Sequence, residues 1–448
     1  MKRLGKITRI ILKTLLFSIL SMLVLLIVLF FVGQTESFQT WAAQKATTYL
    51  SKELDVKVAI KRVKISFVKN VTLEGVFIGD KHGDTLISGE KIRLDVSGFN
   101  YKLKHLNLDE AELTDVKVKL LNYKNEENFS FQFLVDYFSP ADTAKIDSTT
   151  PWKIKYGALK LNNVDFTYHI FGDESKVAHN MNYKNIHVSN VYGEITDIDF
   201  RNDTTFAQIT NLNAKEQCGF VLENLTTKIR ISPTELRCDS LILQTGNSLV
   251  RGDLQFKYNK WADYTDFITK VYMKANFVDS TQLCMKDVAF FAKEINGFNE
   301  RFLINGNIHG YVNDLNGSKM DIRYGKHTEF KGDVSIAGLP NIDTMFVHFD
   351  AKKLTTSKSD LELFSLPPFT NPTHLKLPKE FSKLGVINYT GNFDGAINNF
   401  VTYGTIKTDI GTIKTDLEIK NVTDIKRVEY VGKLTSNNFN IAKLFPGA

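Results

Sequence analysis

Cysteine is almost missing from this chain. Its three copies, Cys218, Cys238 and Cys284, are an odd number without C-x-x-C spacing, so neither a zinc site nor a disulfide framework is implied. A bridge between Cys218 and Cys238 on neighbouring strands is conceivable, but three buried thiols is the plainer reading. Proline is scarce too, at 9 in 448 residues against 33 Phe and 16 Tyr. That balance argues against disorder and for sheet. Nor does one sign of charge dominate. The formal net charge is +6, and Lys2, Arg3, Lys6, Arg9 and Lys13 all precede a single apolar run. The rest is nearly neutral, so no nucleic-acid partner is expected.

Catalytic signatures are also lacking. The histidines are dispersed from His82 to His374, with no H-E-x-x-H, no G-x-S-x-G elbow, no P-loop and no dinucleotide fingerprint. "GDKHGDT" (Gly79–Thr85) gathers Asp80, His82 and Asp84, but Gly and Asp are what a solvated hairpin tip needs. Asp109 and Glu110 alternate across a strand and do not converge. The expectation is a protein that is not an enzyme, with no catalytic residues, no metal site and no cofactor.

What is present begins with "LLFSILSMLVLLIVLFFV" (Leu15–Val32), in which only Ser18 and Ser21 are polar. At 1.5 Å per residue its eighteen residues span roughly 27 Å, close to the ~30 Å of a bilayer core. Leu15, Leu16, Leu20 and Leu23 begin this anchor, and Leu26, Val28, Phe30 and Val32 complete it. The basic residues before it place residues 1–13 in the cytoplasm and everything after Gly33 across the membrane. A cleaved signal peptide is the competing reading, but "FFVGQTE" offers no A-x-A-like site.

Phe38, Trp41, Ala42, Ala46, Tyr49 and Leu50 then recur at helical spacing, predicting a juxtamembrane helix within 34–54. It either lies on the outer leaflet with Trp41 and Tyr49 at headgroup depth, or caps the sheet and buries the same face there. From Val56 every second residue is apolar, as in "VKISF" (Val63–Phe67), "VTLEGVFI" (Val71–Ile78) and "GDLQFKY" (Gly252–Tyr258). That pattern predicts strands with one dry and one wet face. "GDKHGD", "TGN" (Thr245–Asn247) and "NDLNGS" (Asn313–Ser318) read as turns. After residue 54 helix signals are few, and Phe131–Phe138 and Leu283–Ile295 are the best candidates. Residues 55–138 form a first β segment, 139–155 a linker or loop, and 156–448 an extended β segment with a proline-marked break at 366–378.

A loose repeat of Gly, polar, apolar recurs at Gly252, Gly306, Gly332, Gly391 and Gly432, each glycine marking a bend or bulge. "RGD" at Arg251–Asp253 falls inside it and is not read as an adhesion motif. "GTIKTDIGTIKTDLEI" (Gly404–Ile419) reads as two adjacent hairpin strands with matching faces.

These stretches, above all "VGQTESFQTWAAQKATTYLSKELDVKVAIKRVKISF" (Val32–Phe67), "NFSFQFLVDYF" (Asn128–Phe138) and "VAFFAKEINGFNERFLINGNIHGYVNDLNG" (Val288–Gly317), resemble the N-terminal portion of TamB-type proteins of the AsmA-like superfamily. The resemblance implies a mainly β fold. One transmembrane helix precedes a long, twisted antiparallel sheet folded into an open trough, a β-taco, with few short helices. It implies an inner-membrane, single-pass protein whose bulk lies in the periplasm of a Gram-negative bacterium. It also implies conduction of phospholipid between the two membranes. Assembly of outer-membrane β-barrel proteins with a barrel partner in the outer membrane is the alternative. Phospholipid acyl chains would be the cargo, against a lining begun by Val63, Ile65, Phe67, Val71 and Leu73. Leu161, Phe166, Leu254 and Phe256 would continue it. The chain stops at "NNFNIAKLFPGA" (Asn437–Ala448), within the strand pattern. It is therefore expected to be a fragment or a short paralogue of such proteins.

Overall fold

Alternation becomes strand almost wherever the sequence carries it. The computed structural model describes residues 22, 33–66, 69–100, 105–138, 153–172, 179–342, 344–396, 398–422 and 427–444. The anchor residues Leu15, Leu16, Leu20, Leu23, Leu26, Val28, Phe30 and Val32 and the strand residue Phe67 lie outside these, as does most of the 139–155 segment. The chain divides into two units, 1–174 with 184–191, and 175–183 with 192–448.

The first unit opens with helix α1 (Glu36–Leu54). It starts at Thr35, whose hydroxyl accepts from the Phe38 amide, and ends at Asp55 in left-handed conformation. Five strands follow: β1 (Val58–Ser66), β2 (Asn70–Gly79), β3 (Thr85–Asn100), β4 (His105–Asn122) and β5 (Lys153–Ile170). The first four pair in sequence as an antiparallel meander. β5 departs from the expected all-antiparallel sheet, because it runs parallel to β4 from His105↔Lys153 to Asn122↔Ile170. The residues between the two strands are numerous enough to return to the starting end, as a parallel pairing requires. They include α2 (Gln132–Phe138), a helix foreseen from the sequence. β6 (Asn185–Arg201) begins in this unit and ends in the other.

The second unit is one antiparallel ladder. Its early members are β7 (Thr204–Glu216), β8 (Val221–Ser232), β9 (Glu235–Thr245), β10 (Leu249–Lys257), β11 (Tyr272–Phe277) and the short β12 (Gln282–Cys284). It continues with β13 (Arg301–Tyr311), β14 (Asp314–Tyr324), β15 (Thr328–Ala337) and β16 (Phe346–Ser357). A two-stranded flap, β17 (Ser365–Leu366) with β18 (Thr373–His374), occupies the foreseen break. The ladder resumes with β19 (Val386–Ala396), which pairs directly with β16, then β20 (Asn399–Thr408), β21 (Gly411–Lys420) and β22 (Glu429–Asn437). The duplicated "GTIKTD" segments do fall on adjacent strands, with Ile406 opposite Ile413.

Bends are built into this ladder by the glycine repeat. Gly252 has φ +138°, and the β9–β10 register shifts beside it. A Cβ there would lie 1.8 Å from the Asn276 carbonyl oxygen, so only glycine fits. The following Asp253 accepts from the amide of Ser240, a positive-φ residue on the preceding strand, at 2.9 Å. Asp333, after Gly332, does the same for Lys319 at 2.8 Å. The "RGD" triplet is thus one copy of a structural unit that fixes a bulge.

Three expectations are corrected. Leu283–Ile295 is not one helix, but the end of β12, a five-residue helix α4 (Met285–Ala289) and a 3₁₀ turn at Lys293–Ile295. Asp287 explains the break, since it accepts hydrogen bonds from Thr245, Asn247 and Ser248 and pins the segment to the β9–β10 turn. The turn foreseen at Asn313–Ser318 ends at Asn313, because β14 begins at Asp314. The 79–84 tip is not simply solvated. Asp80 is 3% exposed, caps the amides of His82 and Asp84, and accepts from Tyr123 at 2.7 Å.

Candidate functional site: an apolar sheet face

Residues directly opposite each other on paired strands share a face. In the second unit this links apolar side chains into rows that cross the ladder. Ile229 stands opposite Cys238, Cys238 opposite Leu254, and Leu254 opposite Ala275. The row continues through Ile308, Gly317 and Val334 to Phe349 and Phe393, then through Thr402 to Leu417. One step along each strand toward its other end, a second row joins Ile231, Leu236, Phe256 and Met273. Through Gly310 it reaches Leu315, Ile336 and Val347, and through Gly395 it reaches Phe400 and Ile419. The only polar interruption in either row is one threonine.

The opposite face is wet. Gln255 pairs with Lys274, Lys274 with His309, and His348 with Asp394. Alternation along each strand therefore becomes segregation across the whole ladder.

These rows are not a closed core. Leu254, Phe256, Val334, Phe349 and Phe393 are each half-buried. Rings line the later part: Phe349 stacks on Phe393 at 4.8 Å with planes 1° apart, and Phe393 meets Phe400 at 4.5 Å. Apolar side chains also pack in clusters at the strand ends. At one end Phe298 stacks on Phe369 at 4.3 Å and meets Phe364 edge-on, and Tyr324 meets Phe364 at 5.4 Å. The same end carries the cluster Leu384, Ile410 and Leu444, the last from α6 (Ile441–Leu444).

α5 (Lys358–Leu363) belongs to that end. Asp360 in its first turn accepts from the amides of Lys326 (3.3 Å) and His327 (2.7 Å) and from the Thr328 hydroxyl (3.0 Å). Burial opposes its charge, yet these donors outweigh burial and hold the carboxyl below its ordinary value. At the other end a 3₁₀ turn (Trp261–Asp266) and α3 (Phe267–Lys270) fold over, with Phe267 edge-on to Phe256 at 5.5 Å.

The first unit repeats the pattern on fewer strands. Val63, Leu73, Ile92, Leu113 and Leu161 form one row, and Ile65, Val71, Leu94, Ala111 and Leu159 a second. Phe166 stands in a third, with Val58, Ile78, Ile87 and Val118. Next to the first two rows, the alternate residues form ion pairs: Arg62 with Glu74 at 3.3 Å, and both Arg93 (2.9 Å) and Lys160 (2.7 Å) with Glu110. The Lys160 ammonium, with Arg93, keeps the Glu110 carboxyl below its usual range.

Of the residues named from sequence, Val63, Leu73 and Leu161 thus share one row, and Ile65 and Val71 another. Leu254 and Phe256 occupy neighbouring rows of the second unit. Sequence reading missed Phe349 and Phe393, whose signal is the alternation in "FVHFDA" and "NFDGA", and also Phe400.

α1 departs from expectation in what it buries. It caps the outer edge of β1 with polar side chains. Gln39 Nε2 donates to the Ile65 carbonyl while its Oε1 accepts from the Ile65 amide. Thr40 does the same for Val63, and Ser51 for Val58. An edge strand presents unpaired amides and carbonyls, so hydrogen-bonding residues are needed on this face and apolar ones are not. Phe38, Trp41 and Tyr49 consequently point away and are exposed.

No described helix is long and apolar enough to cross a membrane. Among the described residues no cluster of His, Cys, Asp and Glu has the makings of a metal site. All three thiols are free. Cys238 and Cys284 are buried, whereas Cys218 is half-buried in a turn, its thiol pushed up to about 11 by burial and Glu216.

A family model described as the AsmA family matches residues 1–321. No curated protein and no solved structure matches the chain.

Proposed function

The chain belongs to the AsmA family, which is associated with lipid and protein assembly in the cell envelope, and we propose that it conducts phospholipids between the inner and outer membranes along its apolar sheet face. In this reading Leu15–Val32 holds the chain in the inner membrane and the sheet works in the periplasm as an open trough. No catalytic step, metal or cofactor is part of it.

The supporting observation is the pair of apolar rows crossing the second unit from β8 to β21. Exposing an acyl chain of fifteen carbons to water costs about 12 kcal/mol at ~0.8 kcal/mol per methylene. A surface that keeps most of those methylenes in apolar contact at every step removes most of that barrier. At about 4.8 Å per strand, the rows offer such contact over several tens of ångströms along the ladder. Half-burial matters as much as apolarity, because a face packed to core density would have no room for a tail.

The test places photo-crosslinking residues at Leu254, Phe349 and Phe393, and separately at Gln255 and His348, in cells. Phospholipid adducts are expected from the first set. Adducts from the second set alone, or from neither, overturn the reading.

The assembly of outer-membrane β-barrel proteins is favoured by a different observation. Tyr430, Val431 and Leu434 on β22 are all exposed, at 71%, 63% and 59%. Exposed apolar strands of this kind can template another chain. Crosslinks from β22 to unfolded barrel segments, with no lipid adducts on the rows, would select that role instead.

A further inference from the structure

Among the described residues of the first unit, the outward face of α1 stands exposed. Its sheet-facing side is occupied, since Gln39, Thr40 and Ser51 are committed to the β1 edge. The opposite side carries Phe38, Trp41, Lys45, Tyr49 and Lys52, all exposed, the last four lying three, seven, eleven and fourteen residues after the first, so they form one stripe. Trp41 is 55% and Tyr49 61% exposed, and the Phe38 and Trp41 rings lie 5.7 Å apart.

We propose that this stripe rests on the surface of a phospholipid bilayer at headgroup depth. Three arguments select that occupant. The helix starts at Glu36, four residues after an eighteen-residue apolar run ends at Val32. Trp and Tyr combine an apolar ring with a polar tip, which suits the boundary between headgroups and tails. Lys45 and Lys52 on the same stripe suit anionic headgroups. A second copy of the chain is a poorer fit, because three rings fall well short of the ~800 Å² per partner that a stable pair buries. Two aromatic tips flanked by lysines also indicate shallow contact and not insertion into the tails.

The consequence is mechanical. Helix α1 is bonded along β1, so seating the stripe on a bilayer holds the first strand of the unit against the membrane surface. This inference concerns the stripe only and stands apart from conduction along the rows.

The experiment uses the 448-residue chain reconstituted in phosphatidylethanolamine–phosphatidylglycerol vesicles, with Trp152→Phe and Trp261→Phe leaving Trp41 as the single tryptophan. Lipids brominated near the headgroup and deep in the tail serve as quenchers. At least twofold stronger quenching by the shallow bromines is expected, falling when Tyr49→Glu is added. Quenching by neither set, or by the deep set alone, overturns the proposal. So does efficient disulfide formation between copies carrying Tyr49→Cys at high lipid-to-protein ratio. The stripe does not touch the sheet, so Trp41→Ala is expected to leave the thermal midpoint in detergent unchanged, which separates loss of contact from loss of fold. Continued lipid adducts at Phe349 alongside failed quenching would sink this inference and leave the conduit reading standing.

Discussion

Gln39 pairs with Ile65 as a strand would, its Oε1 accepting from the amide at 2.7 Å and its Nε2 donating to the carbonyl at 3.3 Å. One side chain thereby satisfies both backbone groups of an edge residue. Gln39→Ala leaves them without their protein partner at a part-buried site, a cost of about 1 kcal/mol. The denaturant midpoint is expected to fall accordingly, and sedimentation is expected to become concentration-dependent as the edge is opened. A variant as stable as the parent and with unchanged sedimentation would show that the cap is incidental.

Phe349 and Phe393 lie stacked in the first apolar row. Replacing Phe349 by Asp puts a charge in the row without removing a buried contact core, since the side chain is half-buried. Lipid adducts from a crosslinker at Leu417, farther along the row, are expected to drop several-fold, while those at Leu254 persist. Equal yields at both positions in the variant would mean that lipid does not travel along the row.

How much of this was readable beforehand follows from what strand alternation encodes. Val63, Ile65, Leu254 and Phe256 declare a dry face locally, and each does sit in an apolar row. Alternation does not encode register. That Leu254 meets Ala275 and Cys238 depends on turn lengths and on the bulge at Gly252, which shifts the pairing. The parallel pairing of β5 was hidden for a similar reason, since direction depends on where the connection leads. For α1 the apolar spacing left two placements open, since such spacing normally marks the buried side of a helix. Here the neighbour is a sheet edge, and its demand for hydrogen bonds placed Gln39 inward and Trp41 outward.

Gly252 and Asp253 divide the labour of the bulge. Gly252→Ala forces a Cβ against the Asn276 carbonyl at a φ of +138°, and more than about 2 kcal/mol of destabilisation is expected. Asp253→Ala removes a single bond to the Ser240 amide, for which about 1 kcal/mol is expected. Urea midpoints of the two variants give the comparison. If Asp253→Ala proved the more damaging, the bend would owe more to the carboxylate bridge than to glycine.

Asp360 supplies the pH-dependent prediction. Its folded carboxyl is held below the ordinary value by the His327 and Lys326 amides and the Thr328 hydroxyl, against the opposing effect of burial. A depressed folded value means stability that is present above the unfolded pKa, about 3.9, and is lost as pH falls through the folded one. Asp360→Asn turns an acceptor of three bonds into a group that faces donors with its own amide, at a cost of about 2 kcal/mol near neutral pH. The midpoint gap between parent and variant is expected to be constant from pH 7 to about 5 and to narrow steadily below about pH 4. A gap that instead widened in acid would mean that the carboxyl is raised on folding, and that α5 is held at the strand ends by the packing of Phe364 and Phe369 alone.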